Sequence, residues 1–338
     1  MKNITIADVA KHANVSKSTV SQFLNKRYDY MSEKTRKKIE ETIKELNFQP
    51  NIVARSLKQK STFTVGVVVA NILHTFSTHI IRAVEDFFHE HDFQIIVCNA
   101  DDQPEKEKKY IEMLRAKQVD GIIIFPTGGN LDLYEQMKED QFPIVFMDRT
   151  IEHLGIDTVM LDNELASKLA IDEFVKNGYS RIAIVTTSII RNISPRVERI
   201  RGYRSALQSH GIEVRESYIK TVDAHQIAGA LDELFAQPLP PLAILAGNDI
   251  VLIEVLKYMK ENNLQIPGDA AVIGIDEVPF ASFYTPSITT IAQPTREMAK
   301  SAVERLLQRI KKEEHEELSP MIQRFAPAII VRSSCLQG

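Results

Sequence analysis

Polar pairs close several apolar runs of this 338-residue chain. Asp148-Arg149 follows Pro143 to Met147, Asn248-Asp249 follows Leu242 to Ala246, and Asp276 follows Ala271 to Ile275. Two of these aspartates have the chemistry of a general acid and base, but no nucleophile motif accompanies them. As a binding set they are better furnished: aspartate and asparagine exchange hydrogen bonds with sugar hydroxyls, and arginine grips a carboxylate or phosphate with a bidentate fork. A lone strand-end aspartate can also do no more than cap the next helix. Near the N-terminus, Lys17, Ser18, Ser21 and Gln22 recur on one helical face, and their donors and acceptors suit the edges of DNA bases.

The elements that carry this N-terminal set are short. Thr5 and Asp8 form a capping box, and Ile6, Val9, Ala10 and Ala13 follow at i, i+3, i+4, i+7. Ser16 caps a second helix in which Val15 and Val20 make a hydrophobic staple, while Phe23 and Leu24 continue the buried stripe. A third helix is predicted from about Glu33 to Leu46, capped by Ser32, with Ile39, Ile43 and Leu46 inward. Two short helices on a tight turn, the second with small polar groups outward, match a helix-turn-helix whose second helix enters the major groove. A solvated three-helix bundle would show the same spacing. Charge favours DNA, because residues 1–60 carry a net +7 and the remainder −11, a basic module on an acidic body.

From Phe63 onward, strand-like runs (Thr64 to Val69, Gln94 to Val97, Ile122 to Phe125, Ile182 to Val185, Leu242 to Leu245, Ala271 to Ile275) alternate with helical patterns such as Thr78 to Phe88 and Lys106 to Ala116. This is the rhythm of parallel α/β units, with enough chain for two doubly wound sheets and a cleft lined by strand ends. Nucleotide chemistry lacks its motifs. The first strand leads into Ala70-Asn71-Ile72-Leu73-His74 with no G-x-G-x-x-G, no phosphate loop occurs elsewhere, and Pro126-Thr127-Gly128-Gly129-Asn130 is read as a turn. His89 and His91 do not share a helix face, and nothing completes a metal site. No cofactor or metal is therefore expected. No apolar run approaches the ~18 residues of a membrane span, and Met1 to Ala10 has no signal-like stretch, so the cytoplasm is expected. Cys98 and Cys335 are then free thiols.

Thr5-Ile6-Ala7-Asp8-Val9-Ala10, Val15-Ser16, Ser18-Thr19-Val20-Ser21, Leu24-Asn25, Pro50-Asn51 and Ala54-Arg55-Ser56-Leu57 closely resemble the lac/galactose repressor family of bacterial transcription regulators, and the likeness runs along essentially the whole chain. There is a fainter resemblance to its ketodeoxygluconate-responsive members. The resemblance implies a DNA-binding domain over 1–49, in which Thr5, Ser16, Lys17, Ser18, Thr19, Ser21, Gln22 and Asn25 face the operator. A hinge helix follows over 50–61, with Asn51, Ala54, Arg55, Leu57 and Lys58 at the DNA and Leu57 as a minor-groove wedge; read without the family, that stretch is a flexible linker. The remainder, 62–338, becomes a two-lobed, periplasmic-binding-protein-like effector domain, one lobe about 62–160 and 292–323, the other about 161–291 and 324–338.

In its cleft the resemblance assigns Arg199, Asn248, Asp276 and Gln293 to the effector, with Phe76 as an aromatic wall; Asp148, Arg149 and Arg196 join them by sequence or predicted position. The chain departs from the family pattern at Gln22, where arginine is more usual, at Lys58-Gln59-Lys60, where a glycine is frequent, and at His74-Thr75-Phe76-Ser77, where Asn-Pro-Phe-Phe is usual. The expected protein is a homodimeric repressor of near-palindromic operator DNA, controlled by a carbohydrate-type effector, with a sugar acid as the first candidate. A tetramer is not expected, since too few residues follow Val331-Arg332-Ser333-Ser334 for a heptad tail. The rival readings are a sugar-modifying α/β enzyme and a solute receptor.

Overall fold

The computed structural model describes residues 4–29, 31–48, 61–151, 153–191, 193–312 and 318–336. The chain divides into two units, Met1–Thr62 and Phe63–Gly338. In the first, three helices, α1 (Ile6–Ala13), α2 (Lys17–Leu24) and α3 (Glu33–Glu45), enclose Val9, Ala10, Ala13, Val20, Ile39 and Phe48. Their starts are set by side-chain chemistry. The Thr5 N–H donates to Asp8 Oδ2 at 2.9 Å, Ser16 Oγ accepts the Thr19 N–H at 3.0 Å, and Ser32 Oγ accepts the Thr35 N–H at 3.2 Å. Asn14, with φ 50°, turns the chain between α1 and α2 in the left-handed region that asparagine tolerates better than most residues.

The second unit holds two six-stranded sheets. The first lobe comprises β1 (Thr64–Val69), α4 (Thr75–Glu90), β2 (Gln94–Asn99), α5 (Pro104–Ala116), β3 (Gly121–Ile124), α6 (Leu131–Glu139), β4 (Ile144–Met147) and β5 (Thr158–Leu161). The second comprises α7 (Asn163–Lys176), β6 (Ile182–Thr187), α8 (Ser194–Ser209), β7 (Ile219–Val222), α9 (Ile227–Phe235), β8 (Ala243–Ala246), α10 (Asp249–Glu261), β9 (Ala271–Ile275) and β10 (Thr289–Ala292). The chain then returns with α11 (Thr295–Lys311) and β11 (Ile322–Phe325) to the first lobe and ends on β12 (Ala328–Ile330) in the second. Strand order is β11-β5-β4-β3-β1-β2 in one sheet and β12-β10-β9-β8-β6-β7 in the other, so β3 corresponds to β8 and β4 to β9. Among the described residues only β12 runs antiparallel to its neighbour. The passages between lobes follow Leu161, Ala292 and Phe325, the last two a residue or so later than expected, because Ala292 still pairs with Ala328 and Phe325 with Leu161.

Helices cover both faces of each sheet, which is why the central strands are apolar throughout rather than alternating. In the first lobe Val65, Val67 and Val69 pack on Ile80, Val84, Phe88, Val303 and Leu306, while Val68, Ile122 and Ile124 face Ile111, Leu114 and Tyr134. In the second lobe α7 and α8 touch backbone to backbone at Gly202, where a Cβ would lie 2.4 Å from the Glu164 carbonyl oxygen. Among the described residues no helix is long and apolar enough to cross a membrane. Cys98 and Cys335 are both free and buried.

Candidate functional site

Strand C-termini from both sheets meet at one cleft with about 480 Å³ of empty space, part of it open to solvent. Phe76, Asp148, Arg149, Arg196, Arg199, Asn248, Asp276 and Gln293 all line it. Asp148 ends β4 and Asp276 ends β9, and both adopt left-handed backbone, with φ of 67° and 85°. That conformation costs a non-glycine residue on the order of 1–3 kcal/mol and persists only where neighbours impose it. Here the sheet imposes it, for the Asp148 N–H donates to the Val159 carbonyl at 2.8 Å and the Asp276 N–H to the Ile291 carbonyl at 2.9 Å. Each carboxyl is thereby turned toward the cleft rather than along its strand.

Asn248 is the N-cap of α10. Its Oδ1 accepts the Val251 N–H at 2.9 Å, so its amide nitrogen is the part left for a ligand. Gln293 donates from Nε2 to Asp276 Oδ1 at 2.5 Å, and its own Oε1 is buried without a hydrogen bond among the described residues. Phe76 meets Phe125 edge-on at 6.2 Å and supplies an apolar wall despite the altered turn around it.

Charge is concentrated here. Arg149, 6% exposed, donates to Asp102 Oδ1 at 2.9 Å and to the Pro126 carbonyl at 3.1 Å, with Asp148 3.7 Å from its Nε. Arg199, 5% exposed, is held by neutral oxygens, Asn163 Oδ1 at 2.9 Å and the Gly247 carbonyl at 2.6 Å. Arg196 donates to the Ser188 carbonyl at 2.6 Å. Burial, reinforced by repulsion from Arg149, pushes the Arg196 pKa down to about 10. Burial also raises the pKa of Asp148 against the pull of Arg149 and Arg199, and that of Asp276 against the pull of Arg199. At Asp102 burial is outweighed by Arg149 and Arg196, and the carboxyl titrates below its ordinary range.

Several residues that shape the cleft carried no sequence signal. Asp249 stands in the sequence only as one half of a polar pair. It binds the first lobe, with Oδ1 2.5 Å from His74 Nδ1 and Oδ2 accepting the Thr75 N–H at 2.6 Å, while Oδ1 also accepts its neighbour's N–H, from Ile250, at 2.8 Å. One carboxylate thus sits at the N-termini of α4 and α10, helices of different lobes. Behind Arg199, Asn163 donates to Glu198 Oε2 at 3.1 Å, and Glu198 is gripped by Arg324 at 2.7 and 3.0 Å. Arg324 lies on β11, so a crossover strand is tied to the cleft wall. The 126–130 turn is held from below by Glu107, fully buried in α5, which accepts the Thr127 N–H and Asn130 Nδ2, each at 2.7 Å, and the Tyr134 hydroxyl. Its polar groups face that carboxylate, unlike the outward N–H array of a phosphate loop. Among the described residues no group of three or more His, Cys, Asp or Glu could hold a metal.

In the N-terminal unit, Lys17 and Ser18 are exposed and Ser21 and Gln22 half-exposed on α2. Thr5, Ser16, Thr19 and Asn25 have structural partners: the Thr5 hydroxyl on Asp8 at 2.7 Å, Ser16 Oγ and Thr19 Oγ1 on each other at 2.8 Å, and Asn25 Nδ2 on the Ser21 carbonyl at 2.8 Å. Asn51, Ala54, Arg55, Leu57 and Lys58 lie outside the described residues.

Comparison with known proteins adds two family matches. Residues 5–51 match the bacterial regulatory proteins of the lacI family, and residues 62–328 match the periplasmic binding proteins and sugar binding domain of the LacI family. The chain is 49% identical over 336 residues to a probable HTH-type transcriptional regulator, EndR, of Paenibacillus polymyxa, covering 98% of each chain. It is 36% identical to the HTH-type transcriptional regulator KdgR of Bacillus subtilis, covering 98% of this chain and 97% of that one. A solved lac repressor dimer bound to operator and the anti-inducer ONPF superposes with a TM-score of 0.83 at 25% identity, over 99% of this chain and 100% of that one.

Proposed function

The chain belongs to the lacI family of bacterial regulatory proteins, and on that premise we propose that its cleft takes a sugar acid whose binding alters the affinity of the protein for operator DNA. It is a DNA-binding transcription regulator of the repressor type, and not an enzyme. Like the lac repressor it resembles, it works as a dimer on a near-palindromic operator, since two half-sites about one helical turn apart require two recognition helices related by symmetry. Its place of work is the cytoplasm, with the DNA.

One observation carries the acid: Arg149, Arg196 and Arg199 line a single cleft beside two aspartates whose burial disfavours their charge. A neutral sugar would leave that positive charge poorly compensated, whereas a polyhydroxy acid offers hydroxyls to Asn248, Asp276 and Gln293 and a carboxylate to the arginines. Calorimetry with a panel of neutral sugars, sugar phosphates and sugar acids, beginning with ketodeoxygluconate, tests it. Tight binding of an acid that also shifts operator affinity in a gel-shift assay is expected, and tight binding of a neutral sugar whose acid analogues fail would refute it.

At the DNA, Lys17, Ser18 and Gln22 read base edges, while Arg55, Lys58 and Leu57 act at the hinge, Leu57 as a wedge between base steps. Gln22→Ala should relax preference at one operator position, at a cost of about 1–3 kcal/mol, when a randomised operator library is selected. An unchanged preference would remove Gln22 from the reading set.

A further inference from the structure

We infer that Arg196 is the residue that selects an acidic effector over a neutral one, seating its carboxylate together with the Nε edge of Arg149, while Arg199 serves the hydroxyl end. This rests on the sugar-acid reading above and assigns parts within it.

The three arginines of the cleft differ in what already occupies them. Arg149 is partnered through Nη1 by Asp102 and the Pro126 carbonyl; its Nε, on a residue 6% exposed, has the Asp148 carboxyl 3.7 Å away but makes no hydrogen bond among the described residues. Arg199 has two edges taken by Asn163 and Gly247, and Asn163 is itself fixed by Glu198 and thereby by Arg324. Its guanidinium is locked in the same wall as Asn248 and Asp276, where oxygen acceptors and an amide donor alternate as hydroxyl recognition requires. Among the described residues Arg196 has a single acceptor, the Ser188 carbonyl, and forms no ion pair within 4.0 Å. A guanidinium offers five donors, so most of this one is unspent.

Position compounds the imbalance. Arg196 lies in the first turn of α8, where the helix dipole disfavours a cation and favours an anion. Burial and the neighbouring Arg149 charge weigh further on its cationic form and outweigh the pull of Asp102 and Asp148. A carboxylate placed beside Arg196 answers every one of these costs at once: it pairs the cation, meets the helix end with the preferred sign, and accepts from the unbonded Arg149 Nε. A hydroxyl answers only the last.

The test compares each sugar acid with its own carboxamide, which keeps shape and hydroxyls and removes the charge. Ketodeoxygluconate, D-galacturonate and D-gluconate and their amides would be titrated calorimetrically into the wild-type full chain, Arg196→Gln and Arg196→Lys, with thermal melting as the check on folding. The wild type should favour the bound acid over its amide by 30-fold or more. Arg196→Gln should lose 30- to 100-fold for the acid and less than threefold for the amide, bringing the ratio near one, and Arg196→Lys should restore part of it. An unchanged acid-to-amide ratio in a folded Arg196→Gln variant overturns the assignment, as does a wild type that binds acid and amide alike. If the wild type binds no acid and no amide, the sugar-acid reading itself has failed, and the assignment with it.

Discussion

The two lobes share one strand order, yet they use equivalent loops in opposite ways. After β3, the Thr127 N–H and the Asn130 amide nitrogen are spent on the buried carboxylate of Glu107, and the Thr127 hydroxyl is buried without a hydrogen bond among the described residues. After β8, Asn248 spends its oxygen on α10 and keeps its amide nitrogen for the cleft. The ends of β4 and β9 are more alike, since each presents an aspartate in left-handed backbone, but the first lobe adds Arg149 and the counter-charge Asp102, whereas the second adds only neutral partners around Arg199. Topology therefore brings polar groups to the same places twice. Whether a group remains for a ligand is decided by the residue behind it.

The strongest break of this contrast is Glu107→Ala. It strands the Thr127 N–H, the Tyr134 hydroxyl and one of the two N–H groups of Asn130 Nδ2, the other still donating to the Pro104 carbonyl, and should cost about 3 kcal/mol in urea unfolding. Asn248→Ala, by comparison, removes a helix cap and should cost about 1 kcal/mol. Equal losses would mean that the two loops are not differently built.

A second pair compares the strand ends. Asparagine tolerates left-handed backbone, so Asp276→Asn and Asp148→Asn keep the chain path and exchange one carboxyl oxygen for an amide donor. Asp276, held by Gln293 among hydroxyl-binding groups, should lose roughly 100-fold in affinity for the acid effector. Asp148, beside an Arg149 already paired with Asp102, should lose roughly tenfold, charged hydrogen bonds being worth about 1.5–3 kcal/mol. Calorimetry reads both values, and a reversed order would exchange the roles of the lobes.

The smallest effect concerns the contact that joins the lobes. Asp249→Asn should weaken the caps it makes for α4 and speed amide exchange at Thr75, at a stability cost of about 1 kcal/mol. The pH dependence has a definite sign. At Asp249 the burial penalty is outweighed by His74 and by the Thr75 and Ile250 N–H groups, so its folded-state pKa is depressed. Its stabilisation is present above the ordinary aspartate range and fades as pH falls through that depressed value. The protection factor of the Thr75 amide, its exchange rate relative to the intrinsic rate at each pH, should accordingly fall on acidification in the wild type and stay flat in Asp249→Asn; a fall in both would assign it to another group.

Much of this organisation is local and so can be read along the chain. The first three helices follow from capping residues and i, i+3, i+4 spacing, and the central strands follow from apolar runs long enough to be buried on both faces. Of the strands of three or four residues, β3, β4 and β8 show as apolar runs, whereas β5, β7, β11 and β12 do not announce themselves. Three or four residues carry too little periodicity, and β11 is a strand because Ile322 to Phe325 pair with Thr158 to Leu161, more than 160 positions earlier. The site divides along the same line. Asp148, Arg149, Asn248 and Asp276 stand at visible strand ends, whereas Asp102, Glu107, Glu198 and Arg324 look like the charged surface residues that most acids and arginines are.

By itself, then, the sequence determined that a basic three-helix module precedes an acidic α/β body, and that polar groups stand where strands end, because charge balance, capping and periodicity are properties of neighbours in the chain. Only the tertiary structure decided which of those groups stay available. Glu107 reaches the turn after β3, Asp249 reaches α4 from the other lobe, and Arg324 reaches Arg199 through Glu198 and Asn163, each from a distant part of the chain. Burial and hydrogen-bond partnership are set by what the fold brings alongside, and no spacing rule along a chain encodes them.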